Sequence, residues 1–171
     1  MGAFSQQKIC VRMWKAGALI DANTIQYHKF RESYFPIYRS WFTDAELNKQ
    51  LGPLDENWLD YILTDTTGDQ FCFTHFDDLI AVAGIYFSTQ DHPYNVVTDI
   101  AVRPDLRRRG LGCLILKLLP SMVREGGAQD WRANINPNNT AAIRLFEKSG
   151  WARKERKTPD DMIIFEHPTK E

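Results

Sequence analysis

The stretch Ile100-Ala101-Val102-Arg103-Pro104-Asp105-Leu106-Arg107-Arg108-Arg109-Gly110-Leu111-Gly112 joins a β-branched run to an apolar helical repeat through a turn of consecutive arginines and a glycine pair. A strand that runs through such a turn into a helix offers backbone N–H groups with no carbonyl partner, at the positive end of the helix dipole. That is a seat for a phosphate or pyrophosphate. Gly110 and Gly112, flanking Leu111, would let the backbone approach an anion without a Cβ in the way, and Arg107, Arg108 and Arg109 add charge. Taken alone, the segment reads first as a solvated basic loop before a helix. It is not a Walker loop, because no Gly-Lys-Ser/Thr follows. Nor is it a dinucleotide fingerprint, which needs a third glycine where Ile115 stands.

A second segment changes the weight of the first. Asn139-Thr140-Ala141-Ala142-Ile143-Arg144-Leu145-Phe146-Glu147-Lys148-Ser149-Gly150-Trp151 begins with a helix-capping residue and closes with a helix-stopping glycine. Together the two segments resemble the signatures of the GNAT superfamily of acyl-CoA-dependent N-acetyltransferases. One is Arg/Gln-x-x-Gly-x-Gly/Ala, matched by Arg107, Gly110 and Gly112. The other is Asn-x-x-Ala followed by an aromatic, Glu-Lys and Gly-Trp, matched from Asn139 to Trp151. The resemblance covers Phe71 to His167, while the N-terminal third matches only in helical character.

The resemblance implies an α/β fold of mixed type, a splayed sheet of about seven strands flanked by about four helices. It further implies acetyl-CoA or coenzyme A as cofactor, with its diphosphate on the Arg107–Gly112 turn. Its pantetheine arm would lie along the backbone of Ile100, Ala101 and Val102 as an extra strand would, with Asn139 and the helix position of Phe146 beside it. Asn139 also makes a good helix cap on its own.

The implied acceptor is an amine, from a small molecule or a peptide. An alkylamine with an unperturbed pKa of about 10 is mostly protonated at neutral pH, so a proton must leave before attack. The departing thiol, with a pKa of about 8.5, needs less help from an acid. Asp99 is the candidate base, in the strand just before Ile100-Ala101-Val102, where many members of the family carry an acidic residue; a carboxylate there can equally brace a neighbouring element. Some relatives place a glutamate three residues earlier, and here that position is Val96. The family often carries a tyrosine as acid where this chain has Phe146, which cannot donate. Tyr94 and Tyr86 are the substitutes considered.

For the acceptor site, the early helices and the loop before the fourth strand offer Tyr34, Tyr38, Trp41, Phe42, Asp44, Glu46 and Trp58, then Asp91, His92 and Tyr94. Aromatic faces and carboxylates suit a cationic amine. Tyr38 and Phe42, at helical spacing, suit a core as well. The segment Trp41–Asn48 loosely resembles the ribosomal-protein N-terminal and aminoglycoside acetyltransferase branches of the family. The four histidines form no metal-ligating spacing with each other or with cysteine. Cys113 reads as a structural thiol.

The elements that must position these residues follow from periodicity. A strand is expected at Lys8–Lys15. Helical character is expected over Thr24–Thr64, with a capping box at Thr43-x-x-Glu46, a stop at Gly52 and a further helix after Asp55 that turns Trp58, Leu59, Ile62 and Leu63 to one face. Strands follow at Phe71–Phe76 and Leu79–Ser88 around Asp77-Asp78, then at Tyr94–Val102. A helix through Leu111, Leu114, Ile115, Leu118 and Met122 is expected to kink or shorten at Pro120. A strand at Gln129–Ile135, a helix at Thr140–Ser149 and a hairpin of Trp151–Lys157 with Met162–His167 complete the order, its turn at Thr158–Asp161.

With 171 residues, 43% of them apolar, and no linker or repeat, residues 1–171 read as one N-acetyltransferase domain. A net charge of −1 and no second basic patch argue against nucleic acid. No apolar run is long enough for a membrane span. Three scattered cysteines suit a reducing, cytoplasmic setting. A homodimer fits the family's habit. The rival from another class is a non-catalytic acyl-CoA sensor or interaction module that kept the cofactor turn.

Overall fold

The computed structural model describes residues 20, 22–123, 130–154 and 161–167. From Phe71 onward the chain follows the expected order. β2 (Gly68–His75) and β3 (Asp78–Tyr86) form the hairpin, turning at Phe76-Asp77, and β4 (Tyr94–Val102) occupies its expected bounds. α4 (Leu111–Met122), β5 (Asp130–Ile135), α5 (Thr140–Lys148), β6 (Ala152–Arg153) and β7 (Ile163–His167) complete the second half. Pro120 sits in the last turn of α4, so its missing N–H removes only a terminal bond and the helix runs on to Met122. Residues 158–160 of the expected hairpin turn, and the strand expected at Lys8–Lys15, lie outside the described residues.

The first half departs from the expected helical character at its start. β1 (Ile25–Lys29) is an edge strand paired antiparallel to β2. Its side chains are all exposed or only half-buried, and the alternation of Ile25 and Tyr27 with Gln26 and His28 spans too few residues to announce a strand. Three short helices follow: α1 (Phe35–Ser40), α2 (Ala45–Leu51) and α3 (Glu56–Thr64). The capping residue of α2 is Asp44, one place after the expected Thr43: its carboxylate accepts from Leu47 N at 2.8 Å. Asp55 caps α3 likewise, accepting from Trp58 N at 3.0 Å. Gly52 ends α2 as expected. On α3, Leu59 is buried and Trp58 and Ile62 half-buried, but Leu63, next to the helix end, is 47% exposed.

Among the described residues the sheet has the order β1-β2-β3-β4-β5-β7-β6, with β4 and β5 its parallel pair. On one face α4 and α5 cover a core that includes Phe73, Ile85, Val97, Trp131, Phe146 and Phe165. On the other, α1 to α3 cover Cys72, Val82 and Ala101 with Tyr38, Trp41 and Leu59. Each large apolar side chain fully buried in these layers contributes about 1.5–3 kcal/mol.

Two irregularities of β4 position the site. Pairing with β5 runs from Tyr94↔Asp130 to Val97↔Ala133 and stops there, although β4 continues to Val102. The register with β3 steps from Ile85↔Val97 to Gly84↔Asp99, which leaves Thr98 as the extra residue of a β-bulge. Adjacent residues of β3 point to opposite faces, so Val97 and Asp99 do too, although two residues apart. Val97 therefore joins the α4/α5 core, while Asp99 and then Ala101 turn toward α1 to α3.

Candidate active site

Asp99 lies half-buried at the point where β4 leaves β5. Its Oδ2 accepts from Gln70 Nε2 of β2 at 2.8 Å, and its Oδ1 accepts from Thr98 Oγ1 at 3.0 Å. Gly84, between Gln70 and Asp99 in the ladder, makes the hollow: a Cβ there would collide with Thr98 Oγ1, Asp99 Oδ1 and Gln70 Oε1. Burial pushes the Asp99 carboxyl above the ordinary carboxylate range, against the pull of the hydrogen bonds from Gln70 and Thr98. Tyr38 of α1, 1% exposed, borders the same carboxylate. Its phenol is pushed well up, by burial first and then by Asp99 and Cys72, so it stays protonated.

Gln70, Thr98, Gly84 and Tyr38 were not all expected here. Tyr38 was an acceptor-site candidate; the others carry no local signal except that a glycine inside a strand marks a bulge or a close approach. Tyr94 and Tyr86, the candidate acids, stand along β4 and β3 from this carboxylate, Tyr86 two residues from Gly84. Tyr94 begins β4 five positions before Asp99, roughly 16 Å along an extended strand, and its ring carries the Arg132 guanidinium 3.9 Å from the centroid. Tyr86 ends β3 opposite Val96. Phe146 is buried against Trp151 and Phe165, with ring centroids 4.9 and 5.5 Å away.

Beyond Asp99, the backbone of Ile100, Ala101 and Val102 has no β5 partner. An extended segment could pair along that edge, because strand N–H and C=O groups left unpaired are a template for another chain. The edge leads through a short 3₁₀ turn (Pro104–Leu106) to the start of α4.

There, Gly110 takes φ 83°, a left-handed conformation that favours glycine, and no side chain caps the helix. The first intrahelical bond is Leu114 N to Gly110 O at 3.1 Å, which places the N–H groups of Leu111, Gly112 and Cys113 ahead of any helical carbonyl. Arg108 is also left-handed, at φ 60°. Alternation of this kind curls N–H groups into an anion-binding concavity. Gly112 has a packing reason as well: a Cβ there would sit 3.0 Å from Leu145 Cδ1, so its small size lets α4 and α5 pack closely.

Arg107 donates from Nη1 to Asp44 Oδ1 at 3.0 Å and from Nε to the Val102 carbonyl at 3.3 Å. Arg109 donates to the Asp105 carbonyl at 3.2 Å. Asn139 caps α5, its Oδ1 accepting from Ala142 N at 3.0 Å, which leaves the amide N–H groups over. Of the acceptor-site candidates, Trp41 and Tyr38 are core residues packed edge to face, and Trp58 stacks on Phe35. Asp91 and His92 are exposed in the loop before β4. Among the described residues, no group of three or more His, Cys, Asp or Glu is placed to hold a metal ion, and no helix is long and apolar enough to cross a membrane.

The model of the acetyltransferase (GNAT) family matches residues 27–151. It thus extends through the early helices as well as both signature segments. No curated protein sequence matches the chain at a significant level. Solved structures share the fold at low identity. Aminoglycoside acetyltransferase AAC(6')-Ib in complex with coenzyme A superposes with a TM-score of 0.69 at 16% identity, covering 84% of this chain and 94% of its own. An acetyltransferase from Thermus thermophilus gives 0.71 at 15%, covering 85% and 97%. Spermidine N-acetyltransferase from Vibrio cholerae, in complex with coenzyme A and spermine, gives 0.68 at 12%, covering 85% and 96%.

Proposed function

The chain belongs to the GNAT acetyltransferase family, and from that membership we propose that it transfers an acetyl group from acetyl-CoA to a primary amine, with Asp99 as the base. The observation that carries the reading is the bulge at Thr98. It lies just beyond the last β4–β5 pair and turns a carboxylate toward α1 to α3 at the point where the strands part.

The residues present suit the cofactor. The edge of Ile100, Ala101 and Val102, free of β5 and with the Val102 carbonyl also accepting from Arg107, would hold the amides of the pantetheine arm, and Asn139 would add the amide donors its cap leaves unused. The diphosphate would sit on the N–H groups around Gly110, Leu111 and Gly112, with Arg108 and Arg109 contributing charge and Arg107 shaping the turn. Bound there, acetyl-CoA supplies an acyl carbon activated as a thioester.

Asp99 takes the proton that an ammonium must lose before it can attack. Its raised pKa suits that work, since a general base is most effective when its pKa approaches the working pH. Gln70 and Thr98 fix both carboxylate oxygens, so the base needs little reorganisation when the proton arrives. Holding amine and thioester together converts attack into an effectively intramolecular step. Attack leaves a second proton on the nitrogen, which passes to solvent as the C–S bond breaks. No tyrosine occupies the Phe146 position, and the thiolate, already a tolerable leaving group, takes its proton from solvent. An amine acceptor is supported by the aminoglycoside and spermidine named for two structures of the same fold. Incubation with acetyl-CoA and a panel of polyamines, aminoglycosides and peptides, read by mass spectrometry, should yield an acetylated amine; esters alone would overturn the reading.

A further inference from the structure

We propose that Asp44 is a positioning residue for the cofactor turn, acting through Arg107; the proposal rests on the cofactor reading above. The arginine of the signature reads in the sequence as charge offered to a diphosphate. In the fold its guanidinium is engaged on two sides: Nη1 donates to Asp44 at 3.0 Å and Nε to the carbonyl of Val102 at 3.3 Å. One oxygen, Asp44 Oδ1, accepts both that bond and the capping bond from Leu47 N at 2.8 Å. A single carboxylate therefore fastens the start of α2 to the turn before α4, and through Arg107 to the end of β4.

The turn needs such fastening. Arg108, a non-glycine residue, is held at φ 60°, a conformation that persists only where its surroundings impose it. Its neighbours brace the turn from within: Arg103 donates to both oxygens of Asp105, at 2.8 and 3.2 Å, and Arg109 to the Asp105 carbonyl. Arg107 adds the tie to α2. The Leu47 N–H and then Arg107 hold the Asp44 carboxyl below the ordinary range, so the pair is charged at neutral pH. The N–H groups at the start of α4 are thereby arranged before the cofactor arrives, which lowers the ordering cost of binding.

Asp44→Ser separates this role from capping, because serine caps a helix about as well as aspartate but is uncharged and too short to hold the guanidinium. Calorimetry with coenzyme A is the test, with Arg107→Gln and the double variant completing a cycle. Asp44→Ser should weaken coenzyme A binding roughly five- to tenfold, the scale of a partly exposed charge-assisted hydrogen bond. Arg107→Gln should do the same, and the double variant should bind no worse than the weaker single one. In turnover, KM for acetyl-CoA should rise while KM for the acceptor, and kcat at saturating acetyl-CoA, hold. An unchanged or tighter affinity in Asp44→Ser would overturn the proposal, the tighter one showing that Asp44 competes with the cofactor for Arg107. Additive losses in the cycle would overturn it too. Wild-type protein that binds no coenzyme A would overturn the cofactor reading, and this proposal with it.

Discussion

The starts of α4 and α5, both drawn from signature segments, are built in opposite ways. α5 is closed by its own sequence, with Asn139 accepting from Ala142 N. α4 starts on a left-handed glycine with no side-chain cap. Since every helix begins with N–H groups that lack helical partners, the second arrangement leaves donors for a ligand where the first consumes one. The difference teaches that two motifs of equal visibility need not do equal work. On the proposed reading, one is a seat; the other is mainly a fastening.

The sharpest way to break this comparison is Gly110→Val. A β-branched residue at φ 83° costs roughly 1–2 kcal/mol of stability and distorts the turn. Coenzyme A affinity measured by calorimetry should fall by about two orders of magnitude or more, since misplacing several N–H donors forfeits more than one charge-assisted hydrogen bond. Retained affinity would mean that the α4 start is not the seat. Asn139→Ala should act the other way round, lowering stability by about 1 kcal/mol in chemical denaturation through loss of the cap. Asn139→Ser keeps a cap and removes only the spare amide donors, so it should cost coenzyme A about two- to threefold in affinity with little change in stability. Smallest is Gly112→Ala. Its added methyl meets the flexible Leu145 side chain and keeps the N–H, so a stability change of at most about 1 kcal/mol and nearly unchanged affinity are expected.

The Asp99 region adds a contrast in pH. Because burial raises this carboxyl, the native state keeps its proton to a higher pH than the unfolded chain does. Between the ordinary carboxylate range and the raised value, stability therefore falls as pH rises. Asp99→Asn escapes that loss. Thermal melts should find it at least as stable as wild type at neutral pH, with the gap closing once the pH drops below the ordinary carboxylate range.

Much of the second half was legible because its signals are local. β4, the β2–β3 hairpin and both signature helices follow from β-branched runs, turn residues and apolar stripes that need no knowledge of partners. β1 was not legible, since the alternation of Ile25 and Tyr27 with Gln26 and His28 runs over only five residues and buries little surface. The cap of α2 fell one residue from its expected place because Thr43 and Asp44 are both capping types, and Thr43 is taken up in the preceding 3₁₀ turn, its hydroxyl donating to the Ser40 carbonyl. Asp99 could be picked out by position, but the bulge that aims it is a property of pairing with β3, visible beforehand only as Gly84 within an apolar strand. Gln70 reads as the polar edge of a strand until the fold brings it to Asp99. Likewise, nothing near Arg107 in sequence announces Asp44, since the two meet only when α2 packs beside the turn.

The most direct test of the central account is acceptor-dependent release of free thiol from acetyl-CoA, followed across pH for wild type and Asp99→Asn with coenzyme A affinity measured in parallel. The account predicts release in the presence of an amine, with an acidic limb lying above the ordinary carboxylate range. It predicts a loss of about 10²–10⁴-fold in turnover for Asp99→Asn, with cofactor affinity retained. Tight coenzyme A binding with no release on any amine, or an unchanged profile in Asp99→Asn, would contradict it.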